Sequence, residues 1–180
     1  MKALIRGRWL SPVTDRAVYE TARAQQPETL FHNWVNADPA AAFPAEAGRY
    51  HLYVSYACPW AHRTLIFRKL KRLEKMIPIS VVHWYMGRNG WTFADGEGVI
   101  KDPIHEAACL YQVYQAAAAD YHGRVTVPVL WDRKKATIVS NESADIIRMF
   151  NSAFDDVGAA PGDYYPKSLR GQIDEINDRV

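Results

Sequence analysis

The chain has 180 residues, enough for one well-packed domain with some chain to spare and short of two complete ones. Hydrophobic residues make up 48% and charged residues 23%, ordinary globular usage that excludes a disordered or fibrous protein. Lys and Arg number 22 against 20 for Asp and Glu, so nothing in the charge speaks for a nucleic acid partner. The cluster Arg68, Lys69, Lys71 and Arg72 reads as the wet face of a helix. Cys58 and Cys109 show neither a zinc spacing nor a disulfide framework, which fits a reducing compartment. No apolar stretch approaches the roughly 18 to 20 residues needed to span a bilayer, and MKALIRGRWL has no long apolar core or cleavage pattern. The expectation is a cytoplasmic protein with no membrane partner.

Residues 1–48 carry Pro12, Pro27, Pro39, Pro44 and the run Ala40 to Ala42 with no sustained period, and read as an irregular N-terminal extension. From Arg49 the pattern sharpens. HLYVSY alternates as a strand, and Cys58-Pro59 opens a helix with Ile66, Leu70 and Leu73 on its apolar face. Ile79 to Val82 make a second strand, and the glycine-rich stretch Met86 to Gly98 reads as a long loop that could cover a ligand. Ile104, Ala107, Ala108 and Tyr111 step as one helix face, and Cys109 on that helix is assigned to packing. Val127 to Trp131 and Thr137 to Val139 form a hairpin around a polar turn. Ser140 or Asn141 caps a helix through about Asn151, with Ile146, Ile147 and Phe150 inward. The order β-α-β-α-β-β-α over residues 49–155, with a cysteine at the first helix start and an X-Pro at the third strand start, resembles the thioredoxin-like domain of glutathione transferases. Residues 156–180 read as a linker, with Tyr164 and Tyr165, and the start of a further helix from Leu169 to Val180.

At the end of its strand Cys58 takes the N-cap position, because Pro59 fits a first helical turn where a missing N–H costs nothing. Unpaired N–H groups and the helix dipole favour a thiolate there, making the sulfur reactive near neutrality. A lone cysteine is otherwise most often a small buried residue; the strand-Cys-Pro-helix context argues for the nucleophile. Ala61 stands where a dithiol oxidoreductase keeps its resolving cysteine, so an external thiol must resolve a mixed disulfide on Cys58, and glutathione is the abundant candidate.

Pro128 is a candidate cis proline that would turn the backbone of Val127 toward a peptide ligand. Glu142 and Ser143 open the last helix, whose N–H groups attract a carboxylate while the acidic side chain can hold an ammonium, the two charges of a γ-glutamyl group. Ordinary first-turn helix chemistry is the other reading of this pair. Trp91 could cover the ligand and Arg124 could pair with its glycyl carboxylate. His62 is left out of the site, and no metal-ligand spacing, Walker loop or dinucleotide fingerprint occurs.

RYHLYVSYACPWAHRTLIFRKLK, NGWTF, GRVTVPVLWD and IVSNESADIIRMFNSAFD together resemble the glutathionyl-hydroquinone reductases, the Xi class of glutathione transferases. The resemblance implies Cys58 as the nucleophile, with Trp91, Arg124, Val125, Thr126, Val127, Glu142 and Ser143 lining a glutathione site. It implies removal of glutathione from glutathionylated hydroquinones through a Cys58-glutathione mixed disulfide. Glutathione is then a co-substrate, and no metal, flavin or nicotinamide is needed. Family members continue into an all-helical C-terminal domain that supplies a tyrosine for proton transfer. The chain is expected to carry only the start of that domain, and the role is not transferred to Tyr164 or Tyr165. Members form dimers, which makes a homodimer the assembly to consider. A non-catalytic glutathione- or partner-binding remnant and a glutaredoxin-like deglutathionylase are the alternative functions.

Overall fold

The structure, a computed structural model, describes residues 3–10, 17 and 31–179. Two short strands, β1 (Ala3–Ile5) and β2 (Arg8–Leu10), pair antiparallel through Arg6 and Gly7, both at positive φ. Positive φ at both central residues is what a tight hairpin needs for its twist to match that of its strands. The expected irregular extension is therefore corrected at residues 3–10, where arginine in place of the usual Asn or Asp before glycine hid the turn. Residues 11–16 and 18–30, with Pro12 and Pro27, lie outside the described residues, as does Val180. Pro39, Pro44 and Ala40 to Ala42 do lie in irregular chain, which nonetheless sends Phe31, Val35 and Phe43 into the main core.

The principal sheet has four strands in the order β4 (Ile79–Val81), β3 (Tyr50–Val54), β6 (Val129–Asp132), β7 (Thr137–Ser140), with β3 and β4 parallel and the other pairs antiparallel. All five residues of β3 are buried, as a central strand covered on both faces requires. Helices α1 (Pro59–Leu70), α2 (Leu110–Ala117) and α3 (Ser143–Ser152) complete the expected β-α-β-α-β-β-α order. One further strand, β5 (Gly123–Arg124), pairs with β1 in a separate three-stranded sheet, and a last helix α4 (Arg170–Asn177) follows the linker. No helix among the described residues is long and apolar enough to cross a membrane.

Three expectations are corrected. Helix α1 does not turn Ile66 and Leu70 inward; both are exposed with Trp60, while Ala61 and Thr64 are buried on the side that packs against α3. Small side chains let the two helix backbones approach, which a search for large apolar residues overlooks. The basic cluster is not a uniformly wet face either. Lys71 is fully buried, its ammonium donating to Asp155 Oδ1 at 2.7 Å and the Gly162 carbonyl at 2.8 Å, and Arg68 donates to the carbonyls of Ile77 and Glu74. Finally, α2 begins at Leu110, so Ile104 to Ala108 form a turn and irregular chain. Buried Asp102 accepts from the N–H groups of Ile104, His105 and Ala107, and Glu106 stands at φ 51°, a backbone no helix contains.

The sheet also buries a histidine. Ser80 Oγ donates to the Lys101 carbonyl, so in the 2.8 Å bond between His51 Nε2 and Ser80 Oγ the imidazole is the donor. Burial lowers the His51 pKa to about 4. Because the unfolded ring binds its proton near 6.5, this term is fully present above that pH and is lost as pH falls from 6.5 towards 4, by a total on the order of 3 kcal/mol. Denaturant midpoints measured across that window should drop more steeply for the parent than for a His51→Gln variant; parallel curves would refute the assignment.

Candidate active site

Cys58 is the N-cap of α1, with extended backbone and Pro59 in the first turn, and its side chain caps no helix N–H. The residue is half-buried, and its sulfur donates instead to the Val127 carbonyl at 3.6 Å. The Val127-Pro128 bond is cis, and Val127 stands in a bend just before β6. Thus the end of β3 and the start of β6, neighbours in the sheet, bring Cys58 and Val127 together.

A buried network connects this point to α3. Tyr114 is fully buried; its hydroxyl donates to the Thr126 carbonyl at 2.9 Å and accepts from the Thr126 N–H and from Asn141 Nδ2. Burial raises the Tyr114 pKa, keeping the hydroxyl protonated as a donor. The loop residues 125–127 and the chain entering α3 are therefore fixed to one phenol. Glu142, rather than Ser140 or Asn141, is the N-cap of α3; Ser140 Oγ accepts from its N–H at 3.0 Å while Asn141 turns inward to Tyr114. The Glu142 side chain is exposed and Ser143 is buried. Ser143 Oγ accepts from Arg63 Nε at 3.0 Å, and the Arg63 guanidinium lies over the Trp60 ring at 5.1 Å. Arg63 ties the α3 start to the turn of α1 that follows Cys58.

Trp91 and Arg124 lie on other segments of the chain. The Trp91 ring packs against the core and its carbonyl accepts from the Leu110 N–H. Arg124 lies on β5 with an exposed side chain, and its carbonyl accepts from the Tyr121 hydroxyl at 3.0 Å. Val125 is buried and Thr126 is half-buried. Sequence reasoning missed Tyr114, Asn141 and Arg63. The first lies on the face that includes Tyr111, one turn further along α2, and an amphipathic pattern cannot distinguish a structural tyrosine from an apolar one.

The arrangement joins a cysteine sulfur at a helix start, the Val127 carbonyl beside it, and a second helix start carrying a carboxylate and a hydroxyl. Comparison with known proteins is decisive for the family: the model of the glutathione S-transferase N-terminal domain matches residues 57–153, more than half of the chain. The chain belongs to the glutathione S-transferase family. Among curated relatives of this transferase chain, the glutathionyl-hydroquinone reductase PcpF of Sphingobium chlorophenolicum is 61% identical over 140 residues, covering 78% of this chain and 45% of that protein. The glutathionyl-hydroquinone reductase YqjG of Escherichia coli is 58% identical over 160 residues, covering 85% and 49%. An Xi-class transferase from Natrialba magadii superposes with a TM-score of 0.88 at 46% identity, over 100% of this chain and 53% of that one. The glutathione-bound structure of Escherichia coli YqjG gives a TM-score of 0.83 at 52% identity, over 98% and 53%. The chain spans about half the length of the curated relatives it matches.

Proposed function

We propose that this chain carries the glutathione site and nucleophile of a glutathionyl-hydroquinone reductase, with Cys58 as the attacking sulfur. The observation that carries the reading is the half-buried Cys58 at the α1 start, its sulfur 3.6 Å from the Val127 carbonyl beside the cis proline. The Val127 backbone pairs with the cysteinyl part of glutathione. Glu142 holds the γ-glutamyl ammonium, and Ser143 with the α3 N–H groups holds the adjoining carboxylate. Trp91 covers the ligand, Arg124 pairs with the glycyl carboxylate, and Val125 and Thr126 complete the wall. The division into residues 1–48, 49–155 and 156–180 belongs to the same proposal, with 49–155 as the glutathione-binding unit.

In the reaction, the Cys58 thiolate attacks the glutathione sulfur of a glutathionyl-hydroquinone. The S–S bond forms as the sulfur–aryl bond breaks, the aryl carbon takes a proton, and the hydroquinone leaves reduced. A second glutathione attacks the glutathionyl sulfur of the mixed disulfide, releasing oxidised glutathione and the Cys58 thiolate. The cytoplasm, rich in reduced glutathione, is the proposed compartment, and both cysteines are free thiols. A homodimer is the proposed assembly, because Trp84, Tyr85 and Met86 expose a contiguous apolar surface of the kind subunit contacts cover.

The test mixes the protein with a glutathionyl-hydroquinone and excess glutathione. Free hydroquinone should appear with one equivalent of oxidised glutathione, and quenching at limiting glutathione should trap one glutathionyl group on Cys58. Neither release nor adduct in the folded protein would overturn the proposal. Glu142→Gln should raise the KM for glutathione about tenfold, the worth of one hydrogen bond to a charged group, with kcat little changed; an unaltered KM would remove Glu142 from the site.

A further inference from the structure

The N-terminal hairpin touches both segments that carry Trp91 and Arg124, although it lies far from either in sequence. On one side β1 pairs with β5, Ala3 opposite Arg124 and Leu4 opposite Gly123. The hairpin turn is anchored next to them: the Gly7 N–H donates to the Tyr121 carbonyl at 2.9 Å, and Gln115 Nε2 donates to the Gly7 carbonyl at 2.7 Å. Gly7 is required by this approach, since its φ is 73° and a Cβ there would stand 2.0 Å from the Ala119 carbonyl oxygen. On the other side Trp9 of β2 stacks on Tyr111 with ring centroids 4.8 Å apart. The same indole lies against Gly90, where a Cβ would come within 2.6 Å of the ring, so the residue just before Trp91 is seated directly on Trp9.

We propose that this hairpin is a positioning element of the glutathione site, with Trp9 as its positioning residue: it fixes the Gly90-Trp91 loop and the Gly123-Arg124 strand relative to each other. The inference rests on the reading of Trp91 and Arg124 as glutathione contacts. Two contacts borne by separate segments bind one ligand well only if their spacing is set beforehand, since otherwise binding must supply the ordering. One hairpin hydrogen-bonded to the Gly123-Arg124 strand and packed on the Gly90-Trp91 loop sets that spacing through neither Cys58 nor its helix. Its loss acts on affinity for glutathione and leaves the reactivity of the sulfur alone.

The experiment compares the parent chain with Trp9→Ala, Trp9→Phe and Gln115→Ala. Glutathione affinity is titrated directly, KM and kcat are measured with a glutathionyl-hydroquinone, and Cys58 alkylation is timed with iodoacetamide. Trp9→Ala should weaken glutathione binding and raise KM about fivefold, the worth of one aromatic stack. Its kcat at saturation and its alkylation rate should stay at the parent values, and Trp9→Phe should restore most of the affinity. Gln115→Ala, which leaves the stack intact, should give a smaller loss in the same direction and supports the proposal even if Trp9→Ala fails to fold. Parent-like affinity in the folded Trp9→Ala and Gln115→Ala variants, with only a lower Tm, would overturn the hairpin's role while leaving the glutathione site standing. A parent chain that binds no glutathione would overturn both.

Discussion

Replacing Cys58 with serine should abolish hydroquinone release and the glutathionyl adduct, with a loss of at least about a thousandfold. Serine fits the N-cap of α1 as well as cysteine or better, so the fold should be untouched and the loss chemical. A serine hydroxyl cannot form the S–S bond on which the proposed cycle depends, and no neighbouring thiol replaces it. Cys109 is the other thiol in the chain and behaves oppositely. It is buried at the N-cap of α2 in a reciprocal capping arrangement with Gln112, and burial pushes its thiol up, away from the thiolate. Cys109→Ser should therefore retain turnover within about twofold and keep the cap, serine being a favoured N-cap residue. Single-turnover assays on both variants give the check. If the Cys109 variant loses activity and the Cys58 variant keeps it, the nucleophile has been misassigned.

Much of this site was legible in the sequence because its signals are local. Cys58-Pro59 after an alternating strand specifies a helix start, and both residues fall where that pattern puts them. The strand-turn-strand of β6 and β7 and the helix after Ser140 followed from period and turn chemistry in the same way. What the sequence concealed depends on contacts between distant segments. The β1-β2 hairpin is held by β5 and by Tyr111, more than a hundred residues away, and three-residue strands have too few positions to show alternation. Tyr114 joins loop and helix through its hydroxyl, a role that no spacing marks. The inward face of α1 is hidden from a search for large apolar residues because Ala61 and Thr64, not the larger Ile66 and Leu70, are its buried positions. Asp102 could have been found as a turn-forming aspartate before Pro103, but its Tyr53 partner lies across the fold.

Removing the carboxylate of Asp132 should cost about 3–5 kcal/mol, read as a fall in Tm on the order of 10 °C. Asp132 is fully buried at the end of β6, where it accepts from Arg49 Nε and, at 2.6 Å, from the Arg49 terminal nitrogen, and also from the Lys134 and Lys135 N–H groups. It thereby fixes the start of β3 against the end of β6 and shapes the turn into β7. In Asp132→Ala the Arg49 charge, itself 7% exposed, loses its buried partner, and two turn N–H groups lose theirs. The cost comes from the orphaned groups, so an Arg49→Met, Asp132→Leu double variant should be more stable than Asp132→Ala alone. The pair sits at the opposite end of β3 from Cys58, and Tyr50 rather than Val54 faces Asp132 in the register. The folded fraction of Asp132→Ala should accordingly retain the parent's KM for glutathione and its rate of mixed-disulfide formation at 15 °C. Thermal melts and single-turnover trapping on one preparation separate the two effects, and a raised KM at unchanged Tm would show that the clamp reaches the site after all.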